Sequence, residues 1–308
     1  MSTWLFTHAA CIAHDPGDYH PERPDRLRAA LAALESEPFA LLEWQEAPRA
    51  TVAMLERVHN PAYVAALLAA VPAEGHRHLD ADTALSPGSG EAALRAAGAC
   101  VAATDAVIAG HARNAFCAVR PPGHHATPDR AMGFCLFNNV AVAARHAQAA
   151  HGIGRVAVVD FDVHHGNGTQ DAFWSDPSLF YASSHQSPAY PGTGRESDTG
   201  VGNIVNAPLP PGSSGLAFRQ AYERIILPAL DAFAPEFLIV SAGFDAHASD
   251  PLAQLRLRED DFAWVTRELL AVARRHCGSR LISSLEGGYD LEALGASVAA
   301  HVRELMEG

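Results

Sequence analysis

Acidic residues and histidines follow several apolar runs of the chain, at spacings that suit a metal ion. The run "RVAVVDFDVHHG" ends in Asp162 and His164, which are separated by one residue, so both side chains project to the same side of an extended chain. Asp245 follows a second run, "FLIVSAGFDAH". Two carboxylates and one imidazole without a thiolate suit Zn²⁺, and also Fe²⁺ or Mn²⁺, and leave positions open for water and substrate. These residues predict a catalytic metal site.

Two adjacent histidines, His124 and His125, stand in the proline- and glycine-rich stretch "RPPGHHATPDRAMGF". A metal lowers the pKa of a bound water, which still needs a base, and an amide leaving group needs a proton. The histidine pair could serve both needs. Tyr289, in the glycine-flanked stretch "EGGYD", could donate its hydroxyl to a developing oxyanion, although a structural tyrosine is the alternative. Together these residues favour metal-assisted hydrolysis of an amide.

The elements that must position these residues alternate between apolar β-branched runs and alanine- and leucine-rich amphipathic segments, a pattern typical of βαβ units and a mainly parallel sheet. The predicted strands cover 115–119, 155–161, 178–183, 237–242 and 280–285. The predicted helices cover 25–36, 61–71, 89–109, 138–150, 214–233, 259–276 and 290–306. Polar residues follow four of the strands at their carboxyl ends, where open α/β sheets bind ligands.

Composition limits the class of protein. The chain of 308 residues is 48% hydrophobic and 19% charged, and no linker divides it, so we expect one domain over residues 1–308. Its apolar windows are too short for a bilayer and the first residues do not resemble a secretory signal, so a cytoplasmic protein without membrane association is expected. Five cysteines without CxxC spacing argue against a disulfide framework. The net charge of −13 argues against direct nucleic-acid binding and mildly favours cationic substrates.

Five motifs, in this order and spacing, resemble the histone deacetylase family, which includes bacterial deacetylase-like and acetylpolyamine amidohydrolase relatives. They are "RPPGHH", "GFCLFNN", "VDFDVHHGNGTQ", "SAGFDAHASDPL" and "EGGYDL", and "HPERPDRL" near the start also fits. The resemblance is closer to the class II branch than to class I. It implies an arginase-like α/β fold, in which one domain holds an eight-stranded, mostly parallel sheet flanked by helices.

The resemblance also implies roles for individual residues. The two aspartates and the histidine of the predicted metal site match the family's zinc ligands. His125 would be the general base and then the acid, His124 its electrostatic partner, and Tyr289 the group that polarises the scissile carbonyl. Asp160 matches the carboxylate that orients His124. Asn167 stands where some members carry a second aspartate, so His125 is expected to be less easily protonated than in those members.

A structural monovalent cation and a substrate tunnel are implied as well. The residues matching the family's potassium site are Asp160, Asp162, His164, Ser183 and Ser184. Phe134 and Tyr190 match the aromatic walls of an acyl-lysine tunnel, where family members often have Phe at the second position, and Gly133 would leave room for the alkyl chain. Leu252 lies at the mouth position, where polyamine-specific class II members carry glutamate, so acyl-lysine is favoured over acetylpolyamine.

Three hypotheses about function are compatible with the sequence. The favoured one is a zinc amidohydrolase acting on Nε-acyl-lysine in proteins or peptides, with an acetylated polyamine or another small acylated amine as the main variant. An arginase-like ureohydrolase with two manganese ions is the second, although Asn167 stands where further carboxylates would be needed. A catalytically silent binding module that retains the fold is the third. The chain could also form a homo-oligomer.

Other polar residues are expected to be structural. His165 should shape the turn after the ligand pair, Glu286 should be structural, and His14 and His20 could reach the rim of the site. Six further histidines have no partner in the pattern and are expected at the surface. They are His76, His78, His111, His146, His151 and His276.

Overall fold

A computed structural model describes residues 2–308, and its central feature is an eight-stranded parallel sheet. The strands are β1 (Thr3–Thr7), β2 (Glu43–Glu46), β3 (Arg77–His78), β4 (Ala84–Leu85), β5 (Asn114–Cys117), β6 (Val156–Asp160), β7 (Leu179–Gln186), β8 (Ile204–Leu209), β9 (Phe237–Ala242) and β10 (Leu281–Leu285). The sheet has the order β2-β1-β5-β10-β9-β6-β7-β8, and each neighbouring pair is parallel. Strands β3 and β4 form a separate antiparallel pair.

Helices cover both faces of this sheet. They are α1 (Ala9–Ala13), α2 (Asp25–Leu34), α3 (Val52–Leu55), α4 (Pro61–Ala69), α5 (Ser89–Ile108), α6 (Asn139–His151), α7 (Asn167–Phe173), α8 (Gly215–Ala221), α9 (Leu227–Phe233), α10 (Glu259–His276) and α11 (Leu291–Glu307). Helices α2, α10 and α11 pack together, and so do α1, α5 and α6. Strand β5 contacts both α5 and α11, and β9 contacts both α6 and α10. Since a buried parallel strand is covered by helices on both faces, the two groups of helices lie on opposite faces of the sheet.

The strands that carry the candidate site are buried along their whole length. All residues of β5, β6, β9 and β10 are buried, as expected for parallel strands that helices cover on both faces. These four strands are direct neighbours in the sheet. Their carboxyl ends therefore meet at one edge, where the histidine pair, the metal-ligand candidates and Tyr289 follow in the loops.

The structure confirms the predicted α/β class and all five predicted strands. The sequence did not reveal β1, β2 and β8, which lie toward the two sides of the sheet, and β2 is largely exposed. The predicted helix over 214–233 is confirmed as one unbroken helical segment, although its middle, Tyr222–Ile226, is π-helical and lies between α8 and α9. Pro228 lies in the first turn of α9, and its missing N–H and its ring disfavour a continuous α-helix across that point.

The helices and the cysteines can be compared with the expectations from composition. Among residues 2–308, no helix combines the length and the apolar character that crossing a membrane requires. All five cysteines are free thiols and buried.

Candidate active site

The loops after β6 and β9 bring Asp162, His164 and Asp245 together. One ligand atom from each lies within 4.8 Å of the others. The Nδ1 atom of His164 is 3.2 Å from Oδ1 of Asp162 and 3.0 Å from Oδ2 of Asp245. Both aspartates are buried, and His164 is partly buried. These three side chains could hold one metal ion.

Backbone amides fix the two carboxylates in place. The N–H of Gly287 donates to Oδ2 of Asp162 (2.8 Å), and the N–H of Val163 donates to Oδ1 of Asp245 (2.8 Å). One oxygen of each carboxylate is thereby anchored, and the other faces His164. A Cβ atom at position 287 would overlap the Asp245 carboxylate, so glycine is required for this close approach.

The charges at this centre suit a bound cation. Burial and the negative charge of Asp162 raise the pKa of Asp245 to about 7. Burial disfavours protonation of His164, but Asp162 and Asp245 outweigh it and raise the pKa of His164 to about 10. Two buried carboxylates at this separation repel each other, and a divalent cation held between them would relieve that repulsion. The donor set of two carboxylates and one imidazole fits Zn²⁺ or a similar ion.

The histidine pair lies beside this centre and is held by two different partners. The rings of His124 and His125 are 4.0 Å apart. Nδ1 of His124 donates to Oδ2 of Asp160 (2.9 Å), and Nδ1 of His125 donates to Oδ1 of Asn167 (2.8 Å). The second bond leaves Nε2 of His125 as the basic nitrogen.

The two histidines differ in their tendency to carry charge. Burial disfavours protonation of His124, but Asp160 and Asp162 outweigh it and raise the pKa of His124 to about 10. Burial and the positive charges of His124 and His164 lower the pKa of His125 well below its usual range. A neutral base therefore stands next to a charged partner, which is an arrangement suited to proton transfer.

Tyr289 stands at the same cavity and is positioned by residues that sequence reasoning missed. Its N–H donates to Oδ2 of Asp250 (2.8 Å), and Oδ1 of Asp250 accepts from the N–H of Leu252 (2.9 Å). The Cζ atom of Arg26 lies 4.8 Å from the centroid of the Tyr289 ring. Arg26 also donates to the backbone carbonyls of Gly288 and Glu286, each at 2.5 Å. Burial raises the pKa of Tyr289 well above its usual range, so the hydroxyl keeps its proton.

A cavity of about 260 Å³ leads to these groups. Its lining residues are Asp82, His125, Gly133, Phe134, His164, Tyr190, Leu252 and Tyr289. All four residues expected to bind substrate thus line the same cavity as His125 and the metal-ligand candidate His164. Gly133 has a φ of +56°, and a Cβ atom there would lie 2.5 Å from Cδ2 of His125, so a side chain would both strain the turn and push against the base.

Asp82 is a lining residue that the sequence did not suggest. Its Oδ1 accepts from the N–H of Gly133 (3.2 Å) and from the hydroxyl of Thr83 (2.8 Å). The Thr83 hydroxyl oxygen in turn accepts from the N–H of Phe134 (3.1 Å). These bonds fix the turn that forms one wall of the cavity.

Of the five residues matched to a potassium site, two are also metal-ligand candidates, and the other three lie on β6 and β7. Asp160 and Ser183 are register partners on β6 and β7, and both are buried. Oδ2 of Asp160 accepts from the hydroxyl of Tyr181 (2.9 Å) as well as from His124. Ser184 is also buried, with Oγ 3.4 Å from the hydroxyl of Tyr222. As register partners, Asp160 and Ser183 point to the same face of the sheet, whereas Ser184 points to the opposite face.

Glu286 and His165 occupy structural positions around the site. Oε2 of Glu286 accepts from the N–H groups of Gly123 (2.6 Å) and His124 (3.2 Å) and thereby holds the loop of the histidine pair. The ring of His165 bonds Thr193 at Nδ1, and its Nε2 lies 3.0 Å from Oε1 of Gln170.

The expectations for the other histidines hold only in part. His20 reaches the rim, because its ring lies 4.8 Å from that of Phe134. His14 does not, since it is buried with Nδ1 2.7 Å from Oγ of Ser89. The surface expectation for His146 is wrong. It is buried where α5 and α6 pack together, with Nε2 2.6 Å from Oδ1 of Asp105, which also contacts Nε2 of His151 at 2.6 Å.

Comparisons with known proteins agree with this arrangement. The model of the histone deacetylase domain family matches residues 20–305. The fold, the site and this match define the class as a hydrolytic deacetylase. The chain belongs to the histone deacetylase family.

Individual relatives share most of their length with the chain. It is 41% identical to histone deacetylase 14, chloroplastic, of Arabidopsis thaliana, over 98% of this chain and 76% of the relative. It is 45% identical to the histone deacetylase-like amidohydrolase of Pseudomonas aeruginosa, over 88% of this chain and 72% of the relative. The crystal structure of the HDA15 HD domain matches with a TM-score of 0.93 and 36% identity, covering 98% of this chain and 88% of that one.

Proposed function

We propose that this deacetylase is a zinc-dependent amidohydrolase that removes acetyl, or other acyl, groups from Nε-acyl-lysine in proteins or peptides. The observation that carries the proposal is the cavity of about 260 Å³, in which His125, His164 and Tyr289 line the same space as the aromatic rings of Phe134 and Tyr190. The groups that would react and the aromatic rings that would hold an alkyl chain thus line one cavity.

The residues present support hydrolysis of an amide. Zinc held by Asp162, His164 and Asp245 would lower the pKa of a water and polarise the acyl carbonyl. Nε2 of His125 takes a proton from the attacking water, whose oxygen bonds to the acyl carbon. The hydroxyl of Tyr289 donates to the carbonyl oxygen as negative charge develops there. The C–N bond then breaks and His125 delivers its proton to the leaving nitrogen, so a carboxylic acid and an amine leave, and the acid passes its proton to the amine in water to give a carboxylate and an ammonium ion.

His124 contributes charge rather than proton transfer in this scheme. Its Nδ1 hydrogen bond to Asp160 and the nearby carboxylates favour its protonated form. A positive charge 4.0 Å from the His125 ring, measured between centroids, keeps His125 neutral before the reaction. The developing negative charge on the substrate would be stabilised by the same cation.

The mouth of the cavity supports acyl-lysine over an acetylated polyamine. Leu252 is half-exposed and offers an apolar contact at the entrance, whereas a polyamine would need an anionic partner there. Asp82 is a carboxylate in the lining and favours the polyamine as the second candidate. Its Oδ1 atom, however, is already engaged by Gly133 and Thr83.

Three further features belong to the proposal. Fe²⁺ could replace zinc, because the donor set does not discriminate strongly between these ions. A structural potassium ion would be held by Asp160, Asp162, His164, Ser183 and Ser184, and the buried pairing of Asp160 with Ser183 supports it. A cytoplasmic location is supported by the free, buried thiols of the cysteines, which suit a reducing compartment.

The experiment that tests the proposal measures acetate released by the zinc-loaded protein from an acetyl-lysine peptide and from N-acetylputrescine in parallel. We expect the peptide to be the better substrate by kcat/KM. The Tyr289→Phe variant should lose about 10²- to 10³-fold in kcat with both substrates, because one oxyanion donor is removed. Faster turnover of N-acetylputrescine would overturn the substrate assignment, and full activity of Tyr289→Phe would overturn the role of the hydroxyl.

A further inference from the structure

One aromatic side chain projects into solvent from the loop that precedes α2. Tyr19 is fully exposed. Its φ of +62° lies in the left-handed region, which residues other than glycine adopt rarely and at an energetic cost. Exposure of a large aromatic ring on a strained backbone brings no benefit to folding. Such outliers concentrate at binding sites.

The residue after Tyr19 fixes this loop against the wall of the cavity. The ring of His20 packs edge-on to Phe134 with centroids 4.8 Å apart. Nε2 of His20 donates to the carbonyl of Asp82 (3.1 Å), and Nδ1 of His20 accepts from the N–H of Glu22 (3.1 Å). Phe134 and Asp82 both line the cavity. Tyr19 is therefore held one residue away from a side chain that packs on the cavity wall.

The other end of the loop is tied down as well. The carbonyl of Asp15 accepts from Nε2 of His76 (3.0 Å), and the N–H of Asp15 donates to the hydroxyl oxygen of Ser86 (3.1 Å). The N–H of Gly17 donates to the Asp15 side chain (3.1 Å). The exposed ring of Tyr19 thus stands on a loop that is anchored on both sides.

We propose that Tyr19 is a specificity-determining residue that contacts the polypeptide on either side of the acyl-lysine. This inference rests on the proposed function. The acyl-lysine side chain fills the cavity, so by covalent connectivity the main chain of a peptide substrate must cross the rim. A small acylated amine ends inside the cavity and does not reach Tyr19.

The surroundings of Tyr19 suit an extended peptide. Tyr190 and Leu252 line the same cavity and are each partly exposed, so the rim offers apolar surface on more than one side.

The test compares a short acetyl-lysine peptide with free Nε-acetyl-lysine, using the zinc-loaded full chain. In the Tyr19→Ala variant, kcat/KM for the peptide should fall about five- to tenfold through KM, the effect of losing one aromatic contact, while free Nε-acetyl-lysine is unaffected. Tyr19→Phe keeps the ring and should behave as wild type. Leu41→Ala removes another exposed apolar side chain, before the amino end of β2 and thus away from the site edge, and should change neither substrate.

Two results would overturn the inference. An equal loss with both substrates would mean that Tyr19 only supports the tunnel wall, and no loss with the peptide would mean that it makes no contact. Peptide affinity measured by fluorescence anisotropy on Tyr289→Phe, with and without Tyr19→Ala, gives a readout independent of turnover. If the wild-type chain releases acetate from neither lysine substrate, the proposed function fails, whereas unchanged affinity in Tyr19→Ala refutes only the role of Tyr19.

Discussion

Replacing Asn167 with aspartate tests the protonation state of His125, the proposed general base. Nδ1 of His125 lies 2.8 Å from Oδ1 of Asn167, a neutral acceptor. An aspartate would put a negative charge at nearly the same point and stabilise the protonated imidazole. Because protonated His125 cannot accept a proton from water, a higher pKa for His125 makes the enzyme lose activity at a higher pH.

The size of the pKa shift of His125 follows from its contact with residue 167. An opposite charge within about 4–6 Å raises the pKa of a histidine by about 1–3. The new carboxylate would itself be buried, because Asn167 is buried, and desolvation offsets part of the gain. We therefore expect the acidic limb of the kcat/KM profile to move up by about one pH unit, or about 1.4 kcal/mol. Asn167 is the first residue of α7, where a carboxylate also interacts favourably with the helix dipole, so the variant should fold.

The assay is the pH dependence of kcat/KM with an acetyl-lysine peptide for wild type and Asn167→Asp. Asn60→Asp is the matched control, because it adds the same charge at an exposed helix N-cap that aspartate satisfies equally well. Its profile should coincide with that of wild type. An Asn167→Asp profile that also coincides with wild type would refute the assignment of His125 as the base that Asn167 keeps neutral.

Two other changes test the mouth and the scaffold of the site. Leu252→Glu should raise the ratio of kcat/KM for N-acetylputrescine to that for the peptide by about two- to fivefold, because a half-exposed ion pair contributes about 0.5–1 kcal/mol. Leu252→Gln is the neutral control, and an equal change in both variants would rule out a charge effect. Glu286→Ala leaves the N–H groups of Gly123 and His124 without their buried acceptor, which should lower the free energy of unfolding in urea by about 2–5 kcal/mol. Glu286→Gln keeps one acceptor and should lose less, and unchanged stability of the alanine variant would contradict the anchoring role.

The metal-ligand candidates and the histidine pair could be predicted because their signals are local. Each stands just beyond an apolar strand, and the carboxyl ends of parallel strands meet at one edge of a sheet. Asp162 and His164 carry the further signal of alternate spacing.

Residues that act over long sequence distances could not be predicted in this way. Arg26 donates to the carbonyl of Glu286 across a separation of 260 residues, and only the packing of α2 beside the loop after β10 creates that contact. Asp250 reads as a turn residue before a proline, yet its two oxygens fix Leu252 and Tyr289. The strands β1, β2 and β8 gave weak signals because they are short or partly exposed, so their apolar runs are incomplete.

The proposed function requires one divalent metal, bound by Asp162, His164 and Asp245, for hydrolysis of acyl-lysine. The most direct measurement titrates the metal-free protein with Zn²⁺ while recording bound zinc and acetate release from an acetyl-lysine peptide. We predict that activity rises in proportion to bound zinc and saturates at one ion per chain, and that Asp245→Asn binds zinc more weakly and stays inactive over the same range. Activity in the metal-free protein that zinc does not increase, or an unchanged titration in Asp245→Asn, would contradict the proposed role of the metal.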